Sequence, residues 1–136
     1  MNKKFSPKEV LVPTLTLFII ALVATLLLAM VNSVTADRIA AAKAAAEAEA
    51  RQTVFPDAKN FVDKTDYFEA TDADGNVIGY VFNTASKGYG GDVPLTVGID
   101  ATGSITGIVP GDLSNETPGL GQNASNDSFR EQFVGK

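Results

Sequence analysis

The stretch Glu116-Thr117-Pro118-Gly119-Leu120-Gly121 gathers residue types that bind rather than react. Pro118 fixes its own φ and biases Thr117 toward an extended conformation. Gly119 and Gly121 tolerate positive φ and let another molecule approach the backbone closely. Thr117 brings a hydroxyl and Glu116 a carboxylate, while Leu120 is an apolar residue that a plain turn does not need. A bare Pro-Gly pair most often marks only a turn between two elements. Together the six residues make a loop suited to clasping a flat ligand. A second cluster, Lys87-Gly88-Tyr89-Gly90-Gly91-Asp92, reads in the plain sense as a flexible connection between strands. In a functional sense it is a glycine-rich hinge whose bare backbone N–H groups meet an anionic or planar ligand, with Tyr89 able to stack on it.

Composition removes many other chemistries. The chain has 136 residues, a net charge of −5, and no Cys, His or Trp. It therefore cannot form a thiolate iron–sulfur cluster, the usual haem ligation, a His-based triad or an ordinary zinc site. No nucleophile–base pair is apparent, so neither a catalytic set nor a metal set is expected. Any electron chemistry would have to be carried by a bound organic cofactor. From Gly88 to Phe129 there is no Lys or Arg. A phosphate there would be met by backbone N–H groups, hydroxyls or Lys87, and the same gap argues against nucleic acid.

Several elements must hold these loops. From Val10 to Val31 the sequence carries no charge and exceeds the ~20 apolar residues that a bilayer core requires. Pro13 is expected in the first turn of that span. Lys3, Lys4 and Lys8 precede it and the next cation is Arg38, so the positive-inside rule puts residues 1–9 in the cytoplasm and the rest outside. Val34-Thr35-Ala36 resembles a signal cleavage site, but the apolar run exceeds the roughly 7–15 residues of a signal core, which favours a retained anchor. Residues 32–55 are alanine-rich and suit a helical stalk, with Glu47 and Arg51 in the favourable i,i+4 order. Lacking a continuous apolar stripe, the stalk is not expected to enter a core by itself; a small alanine face packing on a membrane neighbour is the alternative.

The remaining residues, 56–136, form the expected extracytoplasmic domain, and from about Asp66 the period changes from helical to two. Tyr67–Ala70, the turn Asp72-Ala73-Asp74-Gly75-Asn76 and Val77–Phe82 read as one hairpin, and the turn lacks the Gly and Glu placement of an EF-hand. Leu95–Ile99, Asp100-Ala101-Thr102-Gly103 and Ile105–Val109 read as a second, with Leu95, Val97 and Ile99 on a buried face. These predict a small antiparallel sheet of about four strands. After a polar linker at 122–126, Ser128-Phe129-Arg130-Glu131 fits a capping box, with Phe129 and Phe133 on one helical face. The fold class is α+β: a single N-terminal transmembrane helix and helical stalk, then a small antiparallel β-sheet domain with a short C-terminal helix.

The order of a single span, an alanine-rich stalk, GYGG before a strand, VGID, SNETPGLG and FREQFVGK resembles the G subunit of Rnf-type electron transport complexes. The related C subunit of sodium-translocating NADH:quinone reductase shares that FMN-binding domain. The resemblance implies an electron-transfer subunit carrying FMN on an extracytoplasmic domain, within a bacterial inner-membrane complex that moves Na⁺ or H⁺ with other membrane and redox subunits. It carries over a cofactor-binding role to Glu116, Thr117, Pro118, Gly119, Leu120 and Gly121, and to Gly88, Tyr89, Gly90 and Gly91. It also implies a covalent flavin threonine in a Ser-Gly-Ala-Thr type motif, which has no counterpart here, so a C-terminally shortened member is expected. Read from the residues alone, a membrane-anchored extracytoplasmic binding or scaffold module without a redox role stands as the alternative.

Overall fold

The computed structural model describes residues 7–136, so Lys3 and Lys4 lie outside the described residues. The chain divides into two units, Met1–Ala42 and Lys43–Lys136. Helix α1 runs Pro7–Val54, and its N-terminal part holds a charge-free run long and apolar enough to cross a membrane. Within that run Thr14, Thr16 and Thr25 donate their hydroxyls to the carbonyls of Val10, Val12 and Ala21. Polar side chains that bond their own helix in this way leave nothing unsatisfied toward lipid. Pro13 is interior to the helix rather than in its first turn, because the helix is already formed at Pro7.

In the second unit, five strands form one antiparallel sheet in chain order: β1 (Asn60–Asp63), β2 (Phe68–Thr71), β3 (Val77–Lys87), β4 (Asp92–Asp100) and β5 (Ile105–Pro110). The sheet has one strand more than the sequence suggests, because Asn-Phe-Val-Asp is too short to show a period. The two expected hairpins are also continuous: β3 and β4 pair from Gly79↔Asp100 through Lys87↔Asp92. The Lys87–Asp92 stretch is therefore a tight hairpin turn and not a hinge.

The core forms where the end of α1 meets the sheet. Val54, Phe55, Ala58, Ala70 and Val81 are buried together. Gly79, Gly98 and Gly107 make room for them. An added Cβ at Gly98 would lie 2.9 Å from Val54 Cβ, and one at Gly107 3.3 Å from Val54 Cα. The last turn of α1 leaves carbonyls without helical partners. Thr106 Oγ1 donates to Val54 O at 2.7 Å, and Gln52 Nε2 reaches the carbonyls of Pro56 and Ala58 at 3.0 and 3.2 Å. The Arg51 guanidinium lies 4.4 Å from the centre of the Phe68 ring. The end of α1 thus enters the core, using only its final residues. On β4 the more buried positions are Thr96 and Gly98, while Leu95, Val97 and Ile99 are half-buried. Thr96 and Gly98 share the face covered by Val54 and Phe55, whereas the alternate residues look toward the C-terminal segment.

That segment contains a 3₁₀ helix (Gly121–Ser125) in place of the polar linker that composition suggests, then α2 (Asp127–Arg130) and a second 3₁₀ turn (Glu131–Phe133). The capping box does not form: Asn126 is the N-cap of α2 and no side chain caps it. Phe129 and Phe133 do meet, with ring centres 5.5 Å apart. They help line an apolar cavity of about 370 Å³ with Val93, Leu95, Val97 and Ile108. Gly135, at φ +76, and Lys136 then pair with Ile105, whose C=O and N–H they satisfy.

Candidate functional site

Beyond β5 the chain leaves the sheet through Gly111, whose N–H donates to Pro94 O, and anchors on the buried Leu113 side chain. Glu116 N–H then donates to Leu113 O at 2.9 Å, which sets where the next six residues begin. In those six, Leu120 N–H donates to Thr117 O at 3.1 Å, with Pro118 and Gly119 between them and Gly119 at φ +74. Proline at the second position and a positive-φ glycine at the third are what a type II turn requires. Gln122 and Asn123 lash the loop from behind, with Gln122 Nε2 to Glu116 O at 3.1 Å and Asn123 Nδ2 to Gly119 O at 2.6 Å.

The two glycine segments come together, and Glu116 joins them. Its Oε1 accepts from Gly90 N–H at 3.0 Å and its Oε2 from Tyr89 N–H at 3.3 Å. Gly90 packs so closely on Asn115 that an added Cβ would collide with the Asn115 carbonyl oxygen. Gly88 N–H closes the hairpin on Gly91 O at 2.7 Å. The amides of Gly88, Tyr89 and Gly90 are therefore used inside the protein rather than left bare for a ligand. On the other loop, the Gly119 and Gly121 N–H groups make no hydrogen bond among the described residues. Two large side chains point away from all packing: Leu120 is 75% exposed and Tyr89 91% exposed.

This arrangement offers a ligand two free backbone donors, the Thr117 hydroxyl, one aliphatic surface and one ring. These are groups that a planar ligand with a polar edge would need. The apolar cavity at Phe129 and Phe133 fits such a group less well, having no charged residue on its walls. Among the described residues no cluster of three or more acidic side chains could hold a metal ion. Both segments are legible in the sequence, but their link is not. Glu116 to Gly90 spans 26 residues, and no local pattern encodes a contact of that range.

Asp100 shows how the neighbouring hairpin is fixed. Its Oδ1 accepts from Thr102 Oγ1 at 2.6 Å, Thr102 N at 2.8 Å and Ser104 N at 3.0 Å. The Thr102 hydroxyl, then the Ser104 amide, hold its carboxyl below the usual range. Asp72 repeats the device in the β2–β3 turn, its carboxyl lowered first by the Asn76 side chain.

Residues 1–54 match the RnfG N-terminal region, and residues 88–136 match the FMN-binding domain. The chain is 37% identical to the G subunit of the Na(+)-translocating ferredoxin:NAD(+) oxidoreductase complex of Acetobacterium woodii, over 90% of this chain and 68% of that protein. It is 32% identical to the G subunit of the ion-translocating oxidoreductase complex of Methanosarcina acetivorans, over 93% of this chain and 74% of that one. A shorter stretch, 54% of this chain and 38% of the relative, is 44% identical to the G subunit of the proton-translocating ferredoxin:NAD(+) oxidoreductase complex of Clostridium ljungdahlii.

Proposed function

Because the chain belongs to the family of G subunits of ion-translocating oxidoreductase complexes, it is an electron-transfer subunit of such a complex with FMN as its cofactor, and we propose that the loop Thr117–Gly121 receives the flavin. FMN, when bound, supplies the one-electron chemistry that a chain without Cys or His has no side chain to perform. Leu120 offers its side chain to a face of the ring system. The Gly119 and Gly121 N–H groups and the Thr117 hydroxyl meet its polar edge, and Pro118 holds the turn that aims them. Tyr89, at the tip of the facing hairpin with Gly88, Gly90 and Gly91, closes the other side. The juxtaposition of the two segments through Glu116 is the observation that carries this reading.

Residues 10–31 would cross the bacterial cytoplasmic membrane with residues 1–9 inside, 32–55 would rise from it as a stalk, and 56–136 would work outside. The other membrane and redox subunits of the complex would be its partners. From Asn32 onward eight basic side chains stand against fifteen acidic ones, a formal −7. An anionic flavin gains little from such a field. No Ser-Gly-Ala-Thr type motif occurs in residues 1–136, so these residues by themselves are expected to hold FMN weakly and through noncovalent contacts.

The test is a titration of the purified, detergent-solubilised chain with FMN, followed by flavin fluorescence and then acid precipitation. Saturable quenching, with all flavin released into the acid supernatant, is expected. Co-purification of multi-span redox subunits from the native membrane is the second expected result. A chain that binds no flavin and emerges alone would instead be an anchored scaffold.

A further inference from the structure

We infer that Glu116 is a positioning residue, which does not touch the flavin but folds the Tyr89–Gly90 hairpin tip onto the Thr117–Gly121 loop. The inference rests on the flavin reading above and deepens it. Both carboxylate oxygens of Glu116 are directed at the opposite hairpin, one to each of two successive amides. A carboxylate that accepts two backbone N–H bonds forms a charge-assisted pair of contacts stronger than neutral hydrogen bonds. The surroundings are built for this one placement. An added Cβ at Gly121 would lie 2.9 Å from both Glu116 Cβ and Oε2, and one at Gly88 would collide with Oε1. Bare α-carbons therefore flank the carboxylate on both sides, and Gly90 lies against the neighbouring Asn115 carbonyl.

The arrangement separates two roles that the sequence GYGG and ETPGLG leaves merged. Glu116, Gly88 and Gly90 make the frame, while Leu120, Tyr89 and the Gly119 and Gly121 amides are what the frame presents. Turning the carboxylate inward also keeps a negative charge from facing an anionic ligand in a region with no Lys or Arg between Gly88 and Phe129.

The experiment measures amide hydrogen exchange by NMR on the isotope-labelled, detergent-solubilised chain, alongside FMN titration, for E116A, E116Q and G90A. E116A removes both acceptors; E116Q keeps one and turns an NH₂ toward the other amide. G90A leaves the carboxylate in place but pushes the hairpin tip off Asn115. In E116A, exchange at Tyr89 and Gly90 is expected to rise by about tenfold or more, and FMN affinity to fall by about tenfold. E116Q should show smaller changes in both, and G90A should loosen the same amides with Glu116 intact. Amides of Val81 and Val97 in the sheet should be unchanged in all three, which separates a lost clamp from a lost fold. Unchanged exchange at Tyr89 and Gly90 in E116A would overturn the inference. So would E116Q losing FMN while the Gly90 amide stays protected, since that makes Glu116 a direct ligand. If the wild-type chain binds no FMN, the flavin reading falls and takes the cofactor half with it, whereas the exchange pattern still upholds or overturns the clamp.

Discussion

Leu120 is an apolar side chain held in water by a turn, and its exposure fixes what its removal should do. With three-quarters of its surface outside, L120A should leave thermal stability unchanged to within about 0.5 kcal/mol. Loss of its contact with a ring face should cost about 1.4 kcal/mol of binding, a roughly tenfold weaker FMN affinity. Paired melting curves and fluorescence titrations check both halves, and equal affinity in variant and parent would remove Leu120 from the site. Asp100 makes a different prediction. Its folded carboxyl titrates below the ordinary value because Thr102 and Ser104 donate to the charged form. Its contribution is therefore fully present above the unfolded value of about 3.9 and disappears as the pH falls through the lower folded value. The melting temperature should drop on acidification below about pH 4. D100A should melt lower than the parent at pH 7 and show a shallower acid decline, with Asp72, and Asp112 that accepts from Ser114 N–H, contributing to what remains.

Among the elements, the seat of α1 on the sheet sets local propensity against packing. Valine favours strands more than glycine does, so propensity alone predicts that G98V stabilises β4. Packing predicts the reverse, because the new side chain would displace Val54 and the Thr106 hydroxyl that satisfies its carbonyl. A loss of about 1–3 kcal/mol is expected in urea unfolding followed by circular dichroism, and a gain would show that the seat is loose. The same contrast explains what the sequence reveals of these elements. The membrane-length run, the period-two strands and the Asp-initiated glycine turns after β2 and β4 are local signals and are legible. Strand β1 is too short to read, and the three glycines that admit Val54 and Phe55 look like interruptions in strands unless the helix end lies on top of them. The capping box fails for a related reason: Asn126 starts α2 ahead of Ser128, so the Ser128-to-Glu131 spacing falls on the wrong turn. In the site, the type II turn is legible from Pro118-Gly119, whereas the Glu116 link is not.

For the whole molecule, the absence of cysteine gives a clean background for mapping topology. Single cysteines at Asn2 and Ser125 are expected to react oppositely with a membrane-impermeant maleimide in intact cells, Ser125→Cys labelling and Asn2→Cys remaining protected until lysis. The reversed pattern would invert the proposed orientation. Every strand pairs with the one made just before it, so nothing in the sheet has to wait for a distant partner. A growing chain could add each strand as it emerges. The β3–β4 tip would then stay unlatched until Glu116, arriving after β5, accepts its two amides, so the two glycine segments would meet only once the whole sheet is in place.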